Sequence, residues 1–423
     1  MAAPELVVRG ALWQDAPVDL LVAKGRVAAL VPCDERIVYD GARVVDAHGL
    51  LLMPSLIDVH AHLRQPGQEY KEDIRSGLEA AAHGGFGTVF AMANTKPVND
   101  TASITAFMLA EAATHWPKGP RLFPIGALTK GLEGKELAPM AELAQAGCIA
   151  FSNDGRPVEN SEIFRRGVEY AAGLGKIVID HCEDPWLALG AGINESSLSG
   201  RLGLKGQPDA AESIQVGRDI LIADYLKTHI HLAHISCRRS VELIAWAKER
   251  SIQISAETCP HYLLFTEDLV HGYNTNAKVN PPLRSADDVE ALRQALRTGV
   301  IDMLATDHAP HADHEKETTF DDAPCGISGL DTALSQTWEL VRSKVLDADT
   351  LLRCWRHAPA KVFGLPAVTF SHGDPADFIL FDADARWELT PQAMHSKGKN
   401  TPSLGNTLYG RVQAHFLGGK RVV

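Results

Sequence analysis

No CxxC pair occurs among the seven cysteines, Cys33, Cys148, Cys182, Cys237, Cys259, Cys325 and Cys354. Their odd number and scattered spacing argue against a disulfide framework and favour a reducing cytoplasm. A basic excess is missing too: 41 Lys and Arg stand against 53 Asp and Glu, for a net charge of −12. That balance speaks against a general nucleic-acid binder, which needs clustered cations. It leaves room for an anionic small substrate, because one arginine can serve that locally. The uncharged stretch from Ala80 to Thr95 is broken by glycine and falls short of the ~18 residues a membrane span needs. The start, Met1-Ala2-Ala3-Pro4-Glu5, has no basic region leading into an apolar one, so no export signal is expected. Tandem repeats and low-complexity segments are likewise missing. What remains is a chain of 423 residues, 45% hydrophobic and 22% charged, a soluble globular balance. It excludes a wholly disordered, collagen-like or coiled-coil chain. At ~150 residues per domain the length suggests about three units, or one large barrel with a small companion.

The first fifty residues read as short strands with tight turns. Lys24-Gly25 separates Asp19-Leu20-Leu21-Val22-Ala23 from Arg26-Val27-Ala28-Ala29-Leu30-Val31. Asp40-Gly41 separates Arg36-Ile37-Val38-Tyr39 from Ala42-Arg43-Val44-Val45. Asp-Gly between β-branched runs predicts a hairpin, since glycine accepts the positive φ of the turn. The last fifty residues look alike, with a strand at Ala376-Asp377-Phe378-Ile379-Leu380-Phe381 and a Gly418-Gly419 turn before Lys420-Arg421-Val422-Val423. Neither end can bury a core alone. Both are therefore expected to pair into one small β-sandwich, residues 1–52 plus 367–423, with residues 53–366 inserted between them.

In that middle, eight short apolar runs centre near Ile57, Val89, Phe123, Ile149, Val178, His231, Ile254 and Met303. Amphipathic stretches separate most of them, among them 73–83, 161–173, 211–227 and 286–297. Ser285 with Asp288 forms an N-cap and N3 pair opening the last. Eight strands alternating with helices predict an α/β fold, a (β/α)8 TIM-like barrel; alternation alone also permits an open doubly wound sheet.

Barrel chemistry sits at the C-terminal ends of the strands. There the first run gives His60-Ala61-His62, the fourth Asn153-Asp154-Gly155, the fifth His181-Cys182-Glu183, the sixth His234 and the eighth Asp307-His308. His60 and His62, two apart, share a face of a strand. Taken singly, each has an ordinary explanation: a chance HxH, an interior histidine, a turn aspartate, a loop cap. Together, four histidines and two aspartates at matching ends converge on one point and suit one or two Zn²⁺ ions. Arg64, Asn94, Asn280 and His311 lie near these ends and suit an anionic substrate, although each alone reads as a solvated loop residue.

These segments resemble the amidohydrolase superfamily and, within it, the dihydroorotases of the class I bacterial type. The matching pieces are Met53-Pro54-Ser55-Leu56-Ile57-Asp58-Val59-His60-Ala61-His62-Leu63-Arg64, Asn94-Thr95-Lys96-Pro97, Asp154-Gly155, His181-Cys182-Glu183-Asp184 and His234-Ile235-Ser236. To them are added Lys278-Val279-Asn280-Pro281-Pro282-Leu283-Arg284, Asp307-His308-Ala309-Pro310-His311, Gly373-Asp374-Pro375-Ala376-Asp377 and Ser396-Lys397-Gly398-Lys399-Asn400-Thr401-Pro402. The resemblance spans nearly the whole chain. It implies zinc-dependent interconversion of N-carbamoyl-L-aspartate and L-dihydroorotate in de novo pyrimidine synthesis. By motif, His60, His62, Asp154 and Asp307 would hold one zinc, and Asp154, His181 and His234 a second. Asp307 would be the general base and acid. Arg64, Asn94 and His311 would hold the substrate carboxylate. Asn280 and the backbone of Cys325 and Gly326 would hold the ring, and His62 would also touch substrate.

Three departures from the family pattern, Gln65, Asn153 and Cys325, fall on no proposed ligand side chain. Relatives such as dihydropyrimidinase and allantoinase bridge their metals with a carboxylated lysine at the fourth strand, where this chain has none. A non-catalytic homologue scaffolding aspartate transcarbamoylase would have lost metal ligands, and all six are present. The partners the resemblance implies are a small-molecule substrate, further copies of the chain and aspartate transcarbamoylase. Residues 311–326, polar and without periodicity, are expected to form a mobile lid.

Overall fold

A computed structural model describes residues 3–423. Eight parallel strands run in sequence order around one sheet: Leu56–Ala61, Phe86–Ala91, Arg121–Ala127, Ala150–Ser152, Ile177–Asp180, Ile230–Leu232, Ile254–Thr258 and Met303–Leu304. A parallel bridge between Ala61 and His308 closes the ring, with His62 N donating to His308 O at 2.8 Å. The sheet is therefore a barrel, and the open doubly wound alternative is excluded. Ile57, Val59, Phe90, Met92, Ile125, Ile179 and Met303 pack together as one buried cluster. Each such side chain contributes roughly 1.5–3 kcal/mol of burial, which leaves the polar residues to the strand ends.

The intervening helices start where their caps dictate. Asp73 caps Ile74–Gly84 by accepting from Ser76 N, and Gly85 ends it at φ 90°. Ser285 and Asp288 exchange side-chain and backbone bonds at the start of Ala286–Thr298, the capping box expected from the sequence.

The two termini build a separate eight-stranded sheet. Leu51–Pro54 pairs antiparallel with Phe378–Glu388, which pairs with Thr407–Leu417. Leu6–Trp13, Ala16–Ala23 and Arg26–Pro32 follow in antiparallel order. Val8, Leu20, Val22, Leu52, Phe378, Leu380 and Phe416 form its own core. The Lys24-Gly25 and Gly418-Gly419 hairpins form as expected. The Asp40-Gly41 hairpin does not. Residues 36–39 form no strand, and Val38 is 78% exposed with nothing to pack on. Arg43–Asp46 pairs parallel with Leu6–Trp13 instead, a long-range partner that turn chemistry cannot announce.

Residues 311–326 also differ from expectation. Lys316 Nζ donates to Thr275 O at 3.0 Å and Pro324 O at 2.7 Å. Lys278 Nζ donates to Phe320 O at 2.7 Å and Asp321 O at 2.9 Å. Both lysines and Phe320 are buried and anchor the segment, while Asp313, His314, Glu317, Thr318, Thr319, Asp321 and Asp322 stay exposed. Among the described residues, no helix is long and apolar enough to cross a membrane.

Candidate active site

Each candidate ligand emerges from a different part of the barrel mouth. His60 ends the first strand and His62 follows it; Asp154, His181, His234 and Asp307 follow the fourth, fifth, sixth and eighth. Local backbone aims them. Asp154 N donates to Ser152 Oγ at 3.0 Å, and Gly155 takes φ 74°. Arg64, His234 and Asp307 hold φ of 60°, 34° and 45°, left-handed values that non-glycine residues adopt at a cost. Three such residues at one mouth mark a site whose geometry the surrounding fold enforces.

Two groups share one carboxylate. Nε2 of His62 lies 3.1 Å from Asp307 Oδ1 and 3.5 Å from Asp154 Oδ2, and Nε2 of His60 lies 3.6 Å and 3.4 Å from Asp307 Oδ1 and Asp154 Oδ1. On the other side, His181 Nδ1 and His234 Nε2 stand 2.8 Å apart and 3.5 and 3.4 Å from Asp154 Oδ1. Burial opposes ionisation of Asp154, yet His60, His181 and His234 outweigh it and hold the carboxyl well below the usual range. Asp307 is held low in the same way by His62 and His60. The donor set fits a cation. His60 Nδ1 is committed to Glu257 Oε1 at 2.7 Å, while its buried Nε2 has no hydrogen-bond partner and faces the centre. Imidazole nitrogen and carboxylate oxygen in this proportion match zinc, and a carboxylate behind a ligand histidine fixes its tautomer.

Beside the carboxylates lies a cavity of about 210 Å³ lined by His62, Arg64, Asn94, Asp154, Gly155, His181, His234, Val279, Asn280, Asp307, Ala309, Cys325 and Gly326. Arg64 Nε donates to Pro310 O at 3.2 Å, and no acidic side chain pairs with the guanidinium among the described residues. Burial lowers its pKa to about 10. Asn94 Oδ1 accepts from His62 Nδ1 at 2.8 Å, so Asn94 orients that imidazole. Asn280 Nδ2 donates to Glu183 Oε2 at 2.7 Å. His311 lies beside Arg64, its Nε2 3.4 Å from Arg64 Nη2. Its Nε2–H donates to Cys325 O at 2.9 Å, and Lys71 Nζ lies 3.4 Å from its Nδ1. Asn153 accepts from Thr129 N and Oγ1 and only shapes the turn.

The Dihydro-orotase-like family profile matches residues 49–240. A protein from Geotalea daltonii named Dihydroorotase is 46% identical over 413 residues, covering 96% of this chain and 95% of its own. One of the same name from Geobacter metallireducens is 45% identical over 409 residues, covering 96% and 95%. The chain belongs to the dihydroorotase family. Among solved structures, the L-hydantoinase (dihydropyrimidinase) of Arthrobacter aurescens aligns with a TM-score of 0.86 at 23% identity, over 99% of this chain and 96% of that one. The dihydropyrimidinase of Brevibacillus agri gives 0.79 at 22% identity, over 99% and 94%. At such identity these neighbours speak for the fold alone.

Three residues around this dihydroorotase-family site escaped the sequence reading. Glu257 joins His60 to His231 Nε2, at 2.7 and 3.0 Å, from inside the seventh strand. A lone carboxylate in a fully buried strand was the available signal. Lys71 beside His311 carried none, and Asn400 beside the 309–328 backbone carried none beyond membership of a matching segment.

Proposed function

We propose that the protein is a zinc-dependent dihydroorotase, a cyclic amide hydrolase interconverting N-carbamoyl-L-aspartate and L-dihydroorotate in pyrimidine (UMP) synthesis. One observation carries the reading: Arg64, without an acidic partner, shares a small cavity with a shared-carboxylate cluster of imidazoles. A substrate with both a hydrolysable amide and a carboxylate answers both features. His60, His62, Asp154 and Asp307 would hold one zinc, and Asp154, His181 and His234 the other. Bound there, zinc would lower the pKa of water to about 7 and polarise the amide carbonyl. Asp307 takes the proton of the attacking water and delivers it to the leaving ring nitrogen; ring closure reverses these transfers. Arg64 matches a carboxylate with its planar fork and sets orientation rather than chemistry. Asn94 and His311 would join Arg64 in holding the substrate carboxylate, Asn94 also orienting His62, and Asn280 with the Cys325–Gly326 backbone would border the ring.

The catalytic unit of this reading is residues 53–366, with residues 1–52 plus 367–423 as its companion. Seven unpaired cysteines fit a reducing cytoplasm. Self-association is part of the reading as well, supported by Ile214, Leu221 and Tyr225 standing exposed along one helix, Ala210–Leu226; a partnership with aspartate transcarbamoylase remains an expectation from family resemblance.

The deciding experiment reconstitutes metal-free protein with Zn²⁺ in CO₂-free buffer and follows zinc content and dihydroorotate turnover together. Full recovery is expected, because Asp154 supplies its carboxylate directly. A strong bicarbonate requirement, or faster turnover of dihydrouracil than of dihydroorotate, would overturn the reading in favour of a hydantoinase-like one. Asp154→Ala should lose the second zinc first, since His181 and His234 alone would remain to hold it.

A further inference from the structure

Residues 396–400 lie between two strands of the terminal sheet, Phe378–Glu388 and Thr407–Leu417, yet they bind the barrel mouth. Asn400 is 3% exposed, and its side chain spans two pieces of backbone. Oδ1 accepts from His311 N at 2.8 Å, while Nδ2 donates to Ala309 O at 3.0 Å and Gly326 O at 2.9 Å. The main chain adds Ser328 N donating to Asn400 O at 2.8 Å. Amide orientation is fixed by this set, because two carbonyls face one end and an N–H the other. Gly398 is pressed onto the same backbone: a Cβ there would stand 2.6 Å from Pro310 Cβ and 2.8 Å from His311 N.

The contacts lead directly to the cavity. Pro310 O, which receives Arg64 Nε at 3.2 Å, lies between Ala309 and His311, both held by Asn400. Gly326, held by the same amide, is part of the cavity wall. We propose that Asn400 is a positioning residue for substrate binding: its amide sets the separation between the Arg64 support at 309–311 and the wall at Gly326. The terminal sheet thereby contributes to substrate recognition without touching substrate. The proposal rests on the reading of Arg64 as the carboxylate binder.

Because Lys316 and Lys278 tie the intervening segment independently, loss of the amide loosens its ends and leaves the fold in place. Asn400→Asp keeps the acceptor for His311 N and removes both donors. It should raise KM for dihydroorotate about ten- to hundredfold, with kcat and zinc content within about twofold of wild type. Gly398→Ala should do the same by displacing Pro310 and His311, and covers the case in which the Asn400 variant does not fold. Arg64→Met is the control. In the Arg64→Met background, Asn400→Asp should add clearly less than it does in wild type, because the support it sets no longer carries a guanidinium. A full, multiplicative effect in that background, an unchanged KM in the single variants, or a joint fall of kcat and zinc content overturns the proposal. If Arg64→Met itself leaves KM unchanged, the carboxylate reading fails instead.

Discussion

His60 and His415 are both fully buried, one at the barrel mouth and one where the barrel meets the terminal sheet. Around His415 every polar atom is satisfied: Nδ1–H donates to Ala82 O at 2.8 Å and Nε2 accepts from Ser55 Oγ at 2.7 Å. Burial then keeps it neutral, with its pKa pushed down to about 4. His60 is satisfied on one side only, by Glu257, and its other nitrogen faces two carboxylates without a partner. Equal burial thus has opposite meanings. A closed set of hydrogen bonds holds two parts of the fold together; an open one, aimed with five other candidate ligands at one point, is an arrangement that would suit a cation.

The comparison breaks most sharply at Asp307. Asp307→Asn should keep the fold and much of the metal through the remaining ligands, but lose proton transfer. kcat should fall at least ~10²-fold with a melting temperature close to wild type. Near-normal turnover at neutral pH would remove Asp307 from that role. Glu257→Gln tests the satisfied side of His60. The amide can no longer accept from both His60 and His231 as a charged group, so zinc affinity should fall about 10–100-fold, measured by competition with a chelator. Unchanged affinity would make Glu257 a packing residue.

The smallest effect on activity, and a clear one on stability, belongs to His415. Its pKa lies near 4 in the fold against 6.5 when free. The unfolded chain therefore takes up the proton first as pH falls, so the stability from neutral His415 is present above about pH 6.5 and lost as pH drops towards 4. The full loss is at most about 3 kcal/mol. Urea unfolding of wild type and His415→Gln at pH 7 and pH 5 should show a smaller pH difference in the variant, with equal zinc content and kcat at pH 7. Equal pH differences would place the sensitivity elsewhere.

Much of the site was legible because strands repeat every two residues and barrels expose chemistry at one end. His60, His62, Asp154, His181, His234 and Asp307 could be collected from the ends of apolar runs before any partner was known. Cap residues such as Ser285 and Asp288 were readable for the same local reason. Arg43–Asp46 was misread because its partner, Leu6–Trp13, lies far away along the chain and an Asp-Gly turn speaks only for its neighbours. Residues 311–326 looked loose because most of their polar side chains face solvent, as they do in the fold; what was not legible is that Lys316, and Lys278 from outside the segment, turn inward onto its carbonyls.

By itself, then, the chain determined the alternation of strands and helices, the residue types offered at the mouth and the family they resemble, all of which depend on spacing along the backbone. Only the tertiary structure decided that Glu257 stands behind His60 and that Asn400 reaches 89 residues back to His311. Those facts depend on which atoms lie within about 3 Å of one another, and directional hydrogen bonds between distant segments leave no periodic trace in the order of residues.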